Sequence, residues 1–275
     1  MIGRVPPEDH VSPHLAEIIA SVAPADLTVL ISGETGVGKE VVARALHRRS
    51  KRRDGPFVKV NCTALPPALL ESELFGYAAG TFPGALWSKR GRLEEAERGT
   101  ILLDEIGAMP LSVQAKMVRV LRARRYSRLG SRQETKVKAR VLATTSLNLS
   151  ALVACGEFRD DLCHQLDLIH VRVPALRLRK EEIGALTDYF LGRGAPACEL
   201  AAPVLSPATR ERFATYPWPG NVRELENIVT SIAVLGSDDW VVRELDGRQQ
   251  GRAPQGRACP LGEIRAVRAA PVDVR

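Results

Sequence analysis

Five short apolar runs mark the first two thirds of the chain, at 27–32, 57–61 (Phe57-Val58-Lys59-Val60-Asn61), 100–104, 139–145 and 169–173. They are rich in Val, Ile and Leu and several are apolar on both faces, the pattern of strands buried inside a parallel sheet. Between them the spacing becomes helical. After Pro110, the residues Met117, Val120 and Leu121 mark one face of a helix over 111–124. Pro13 to Ile19 opens a short helix ahead of the first strand. Strands alternating with helices predict a three-layer α/β domain.

After Pro174 the strand signal stops. Ile183, Leu186 and Phe190 recur at helical spacing. Ser206-Pro207 reads as a helix N-cap with proline at the first helical position. Asn221, with Glu224 three residues on, reads as a capping box. It opens a helix with Leu225, Ile228, Val229 and Ile232 along one stripe. These helices predict a small all-helical domain. Residues 240–275 carry seven Arg against four acids, with many Gly, Pro and Gln and no helical period. They read as a basic, largely disordered tail. The predicted boundaries are a lead-in at 1–11, an α/β domain at 12–177, a helical domain at 178–238 and the tail at 239–275.

The chemistry sits at the ends of two strands. Residues 33–40 read Gly-Glu-Thr-Gly-Val-Gly-Lys-Glu, between an apolar strand and a helical stretch. That is the phosphate-binding P-loop, G-x-x-x-x-G-K-[ST], with Glu40 where Ser or Thr usually helps to hold Mg²⁺. Gly33, Gly36 and Gly38 let the backbone turn tightly and aim N–H groups at phosphate oxygens. The following helix presents its positive end to the same anion. Lys39 adds a charge near the β/γ-phosphates. Glu34, Thr35 and Val37 complete the cofactor-binding loop. A second strand, Thr100-Ile101-Leu102-Leu103-Asp104-Glu105, has the Walker B form. There Asp104 is placed to serve Mg²⁺, and Glu105 to orient or deprotonate water. ATP and Mg²⁺ are therefore the expected cofactors.

Composition narrows the setting. The 275 residues are 45% hydrophobic and 26% charged, enough for one large or two modest domains. No run of 18 apolar residues occurs, so no membrane span is expected. The N-terminal Met-Ile-Gly-Arg-Val-Pro-Pro lacks the apolar core of a signal peptide. Five cysteines without C-x-x-C spacing fit a reducing cytoplasm. A net charge of +7 permits nucleic-acid contact without requiring it.

From about residue 12 to 238 the chain resembles the central AAA+ ATPase domain of sigma-54-dependent transcriptional activators, the bacterial enhancer-binding proteins. The resemblance rests on GETGVGKE (33–40), FVKVNC (57–62), ESELFGYAAGTFPGA (71–85), RGTILLDEIGAMPLSVQAKMVRVL (98–121), GEFRDDL (156–162), PALRLRKEEI (174–183) and WPGNVRELEN (218–227). It implies a ring, usually a hexamer, hydrolysing ATP between subunits and remodelling the RNA polymerase–sigma-54 closed complex. It further implies that Asn61 restrains the catalytic glutamate and that Arg159 reaches the neighbouring subunit's γ-phosphate. Arg223 would sense nucleotide and couple lid motion to it. The family's glutamate after the P-loop lysine accounts for Glu40.

The chain departs from the family at four places. The sigma-54 contact loop, usually GAFTGA, reads Gly80-Thr81-Phe82-Pro83-Gly84-Ala85, keeping the aromatic and replacing a threonine by proline. The second arginine expected six residues after Arg159 is Gln165. The sensor strand ends in Thr144-Thr145-Ser146, with serine in place of asparagine. No receiver domain is expected ahead of the ATPase and no helix-turn-helix after it, so DNA binding would be indirect. Three readings stay open: a working sigma-54 activator; a degenerate ATP-binding subunit acting as a regulatory partner in a mixed ring; and an AAA+ regulator that does not act on sigma-54.

Overall fold

Alternate residues of the central strands point to two different cores, and that decides the layering. The structure, a computed structural model, describes residues 13–194 and 204–250. The expected lead-in at 1–11 and residues 251–275 of the expected tail lie outside the described residues. Contacts divide the described chain into two units, one of 13–185 with 218–225, the other of 186–194, 204–217 and 226–250.

The first unit is built on a five-stranded sheet. In chain order its strands are β1 (Val29–Ser32), β2 (Phe57–Asn61), β5 (Thr100–Asp104), β8 (Arg140–Thr145) and β9 (His170–Arg172). They lie side by side as β2-β5-β8-β1-β9, all parallel. These are the five runs expected from the sequence, two of them at the expected bounds and the others trimmed by one or two residues at one or both ends.

Val29, Ile31, Leu102 and Leu142 face one core with Leu15 and Ile19 of α1 (Pro13–Val22) and Val42 and Leu46 of α2 (Lys39–Arg48). Leu30, Ile101, Leu103 and Val141 face the other, with α3 (Pro67–Phe75), α5 (Leu111–Ala123) and α7 (Asp160–Leu166) supplying Leu74, Met117 and Leu162. The strands are thus apolar on both faces because both faces are covered. Between the sheet strands lie α4 (Arg92–Glu95), α6 (Leu149–Ala154) and two small hairpins. One hairpin pairs β3 (Gly76–Tyr77) with β4 (Lys89–Arg90), the other β6 (Arg125–Ser127) with β7 (Glu134–Lys136).

A buried arginine ties the unit's first helix to the sheet. Arg140, at the start of β8, donates to the carbonyls of Val22, Ala23 and Leu27 at 3.2, 2.8 and 3.1 Å. Two of these acceptors close the C-terminal end of α1, where helix carbonyls lack partners.

The second unit is helical. It comprises most of α8 (Glu182–Gly194), α9 (Pro207–Thr215), the later part of α10 (Asn221–Leu235) and α11 (Val241–Gln249). Ser206 caps α9 as expected, its hydroxyl accepting the Thr209 N–H at 3.3 Å with Pro207 at the first position. Asp238 in turn accepts the Ser206 N–H at 2.7 Å. Helix α11 corrects the expectation of a tail without helix from 240. Val241 and Leu245, one helical turn apart, are both buried, and Arg212 of α9 holds Asp246 at 2.8 Å. Two apolar residues suffice for a short docked helix, and the Arg- and Gly-rich composition beyond it masked them.

Candidate functional site

Strand β1 ends at Ser32, and the chain turns through the P-loop before α2 begins at Lys39. Gly36 and Gly38 have φ of 83° and 98°, which side chains beyond glycine rarely adopt. Gly36 has a second reason to be glycine: a Cβ there would lie 2.4 Å from the Gly220 carbonyl oxygen. Lys39 is buried. Its ammonium donates to the Gly33 carbonyl at 2.8 Å and the Glu34 carbonyl at 3.3 Å, and lies 3.0 Å from Glu105 Oε1.

Walker B closes the other side. The register pairs Asn61 with Asp104, so the ends of β2 and β5 are level. Thr144 of β8 organises both acids at once. Its hydroxyl accepts the Glu105 N–H at 3.0 Å and donates to Asp104 Oδ1 at 2.6 Å. Glu105 adopts a left-handed backbone, φ 55°, a strained choice for a side-chain-bearing residue that recurs at functional sites. Its Oε2 accepts from both the N–H and the hydroxyl of Ser146, at 2.8 and 2.7 Å. Serine at this strand end, read as a shortened sensor, therefore grips the Walker B glutamate.

Glu40 and Lys59 extend the network. Lys59 Nζ lies 2.6 Å from Glu40 Oε2 and 2.8 Å from Asp104 Oδ2, while Arg44 donates to Glu40 Oε1 at 3.0 and 2.7 Å. Burial works against the Glu40 carboxylate and the Lys59 ammonium. Their ion pairs outweigh it, lowering the Glu40 pKa and raising that of Lys59. Glu40, Asp104 and Glu105 thus face Lys39, Arg44 and Lys59. Cys62, just past β2, is buried and its thiol is pushed up to about 12 by burial and then by the two Walker B acids. It is inert packing.

Residues beyond the P-loop hold it in place, and most escaped the sequence reading. Arg177 forks onto Glu34 at 2.8 and 2.5 Å, and Asn221 Nδ2 donates to Glu34 Oε2 and the Thr35 carbonyl, both at 3.1 Å. The Arg177 hydrogen bonds, then that of Asn221, bring the Glu34 carboxyl down to about 2. Arg179 is buried and donates to the Val37 carbonyl at 2.6 Å. Arg177 and Arg179 lie in the stretch 174–183 that carried part of the family resemblance, which was the available signal.

Asn221 corrects the capping-box expectation. It is buried with φ 53°, and its Oδ1 accepts the Leu176 N–H at 2.8 Å. Glu224 instead reaches the Gly220 N–H at 2.9 Å, one residue earlier than a capping box requires. Arg223 is exposed on the same turn, and its backbone N–H donates to the Gly36 carbonyl at 3.3 Å. The turn 218–225 therefore belongs with the sheet unit, so Arg223 stands beside the P-loop by its backbone.

Other expected residues make local contacts of their own. Asn61 Oδ1 accepts the Thr63 N–H at 2.9 Å and the Thr63 hydroxyl at 2.7 Å, a local turn at the strand end. Arg159 is exposed at the start of α7 and forks onto Asp161 at 3.0 and 2.9 Å. Gln165 lies half-buried on the same helix. The loop Gly80–Ala85 extends from the β3–β4 hairpin, and Phe82 packs against Tyr77, its ring tilted 60° to that of Tyr77 with centroids 4.9 Å apart. The Ala85 N–H donates to the Phe82 carbonyl at 3.0 Å, and Gly84 has φ 94°. With proline second and a left-handed glycine third, this is a type II turn, to which Pro83 is suited. Phe82 is 44% exposed, Leu86 78% and Trp87 81%.

Among the described residues no helix is long and apolar enough to cross a membrane. The chain is 43% identical over 256 residues to the regulatory protein AtoC of Escherichia coli strain K12, covering 93% of this chain and 54% of that protein. It is 43% identical over 237 residues to the Sigma54-dependent transcriptional regulator SfnR of Pseudomonas fluorescens, 86% of this chain and 65% of that one. The chain thus spans about half to two thirds of the length of these relatives. The fold is similar to NtrX from Brucella abortus, solved in complex with ATP, with a TM-score of 0.75 and 38% identity over 82% of this chain and 51% of that chain. Residues 177–255 match the AAA+ ATPase lid domain. Residues 7–172 match the sigma-54 interaction domain, and the chain belongs to that family of AAA+ proteins.

Proposed function

We propose that this chain binds ATP with Mg²⁺ at the P-loop and couples ATP hydrolysis to remodelling of the sigma-54 RNA polymerase closed complex. The observation that carries the reading is the 3.0 Å approach of Lys39 to Glu105, with Asp104 fixed beside them by Thr144. A phosphate-binding cation and a water-activating carboxylate meet at the carboxyl end of the sheet, from the strands β1 and β5 that flank β8, where open parallel sheets bind ligands. The donor set fits the cofactors. The glycine-rich turn at 33–38 offers N–H groups to phosphates. A cation held by the single carboxylate of Asp104 together with phosphate oxygens is the usual Mg²⁺ arrangement. Bound there, Mg²⁺ would neutralise charge on the β- and γ-oxygens.

In this reading residues 33–40 cradle the phosphates, and Lys39 exchanges its Gly33 and Glu34 carbonyl partners for them. Glu105, gripped by Ser146, orients and deprotonates water. Asn61, level with Asp104 at the end of the adjacent strand, restrains Glu105 once its own turn opens. Arg223 senses nucleotide from the turn beside Gly36. Arg159 serves the site of an adjacent subunit in a ring, usually a hexamer in this family, releasing Asp161 to do so. The loop Gly80–Ala85 presents Phe82 to sigma-54. Isothermal titration with ATP tests the site directly. Lys39→Ala removes a charge-assisted contact, and affinity falls about tenfold or more; equal affinity would sink the assignment.

A second reading is favoured by Gln165, which offers no guanidinium where the family has one. Here the chain binds ATP but serves as a weak partner in a mixed ring. Arginine fingers contribute about 10³–10⁵ in rate. Gln165→Arg raising turnover of the homogeneous protein would support this second reading, and high turnover by the parent chain would dismiss it.

A further inference from the structure

Lys59 is a cation of the site that neither the P-loop motif nor the family's catalytic roles employ. Strand alternation puts it there. Phe57 of β2 packs toward the α1–α2 core, whereas Val60 faces the opposite one, so Lys59 and Asn61 follow Phe57 to the α2 side. Leu102 of β5 faces that same core, and Asp104, two residues on, points with it. Lys59 thereby meets both the residue that follows the P-loop lysine and the carboxylate expected to serve the metal.

Both oxygens of Asp104 are already occupied by protein. Oδ1 accepts from the Thr144 hydroxyl at 2.6 Å, and Oδ2 lies 2.8 Å from Lys59 Nζ. The two partners differ in how freely they can leave. Thr144 is fully buried in the middle of the sheet, and its hydroxyl also accepts the Glu105 N–H, which fixes the direction of its proton. Lys59 is 32% exposed and carries its charge on a four-carbon stem. It also has somewhere to go, because Glu40 Oε2 is only 2.6 Å from the ammonium. Arg44 holds the other oxygen of Glu40, so that carboxylate stays in place when Lys59 shifts onto it alone.

We propose that Lys59 is a resident counter-ion which Mg²⁺ must displace from Asp104, and so is the positioning residue that sets how much Mg²⁺ the site needs. It holds the Asp104 carboxylate oriented before metal arrives, and Glu40 receives the ammonium afterwards. Glu40 thus stands where a hydroxyl would usually help the metal and parks the competing cation instead. Two effects act in one direction: Lys59 occupies a ligand oxygen, and its charge repels a divalent cation nearby. The proposal rests on the reading that the P-loop binds ATP with Mg²⁺.

The experiment is a titration of a fluorescent ATP analogue onto the full chain at a series of Mg²⁺ concentrations. Lys59→Met should lower the Mg²⁺ concentration giving half-maximal enhancement of nucleotide binding about fivefold, the scale of one partly exposed ion pair. Lys59→Arg keeps the charge and should leave the midpoint at or above that of the parent. Thermal melting of each variant confirms that it folds, and Lys59→Gln replaces Lys59→Met if the latter does not. An unchanged or raised midpoint in a folded, nucleotide-binding Lys59→Met or Lys59→Gln protein overturns the proposal and leaves the ATP reading standing. A parent chain that binds no nucleotide at any Mg²⁺ concentration overturns both.

Discussion

The P-loop site and the β3–β4 loop carry function in opposite physical states. At the site nearly every charged group already has a protein partner: Lys39 with Glu105, Glu40 with Arg44 and Lys59, Asp104 with Lys59 and Thr144, Glu34 with Arg177. In the loop the aromatic and apolar side chains of Phe82, Leu86 and Trp87 stand exposed, and order comes from backbone turns, the Thr81 hydroxyl and the Phe82–Tyr77 contact rather than from ion pairs. The first region is preorganised, so a ligand there exchanges one set of charged contacts for another. The second is a fixed turn presenting apolar surface, most of it from Leu86 and Trp87, to solvent. Damage at the site should therefore appear in chemistry, and damage at the loop only when a partner is present.

The largest effect should come from the site. Glu105→Gln keeps an oxygen for Lys39 and loses the base, so turnover should fall about 10²–10⁴-fold with ATP affinity little changed. Equal turnover in the two proteins would remove Glu105 from the mechanism and leave the site as a binding surface only. The scaffold beneath comes next. Arg140→Met strips the donors from three carbonyls at the end of α1 and the following turn, partly offset by relieving a buried charge. Stability of the sheet unit should drop by about 3 kcal/mol, with α1 losing hydrogen-exchange protection first. A drop below about 0.5 kcal/mol would mean that water replaces the guanidinium.

The loop supplies a smaller and more selective effect. Pro83→Thr should cost less than about 1 kcal/mol of stability, since the type II turn keeps its left-handed Gly84 and loses only the entropy advantage of proline. Open-complex formation with sigma-54 polymerase should nevertheless rise. A large loss of stability would show the turn to be part of the fold, erasing the contrast between the regions. The smallest effect concerns pH. The Glu34 carboxyl is lowered from 4.5 to about 2 by Arg177 and Asn221. A depressed acid stabilises the folded state fully above its unfolded pKa, and that contribution fades as pH falls from about 4.5 to about 2. The pair is exposed, so the change is modest. Glu34→Gln should flatten the acid limb of the stability curve over that window, and an unaltered limb would show the clamp to be energetically idle.

Several features were legible because they depend on residues close in sequence. The five strands, the P-loop, the Walker B acids and the Ser206 cap each follow from periodicity or from a motif of a few residues. Their order along the chain also identified the family. Other features depended on which strand lies beside which, and the sequence could not express that. Lys59 meets Asp104 only because β2 and β5 pair in register, and Thr144 governs both acids only because β8 lies on the other side of β5. Asn221 has the residue type and spacing of a cap, yet the P-loop offered its amide better partners in Glu34 and Thr35. Ser146 looked too short to reach a phosphate, and its distance to Glu105 became visible only in the folded sheet. Helix α11 forms on two buried side chains, a signal too brief to outweigh a basic composition. Most of the elements and the chemistry they carry could be read along the chain, because local propensity and motif spacing act over one or two turns or a single strand. Tertiary structure alone decided which charges pair, because hydrogen bonds and ion pairs are set by distances of about 3 Å between residues tens of positions apart.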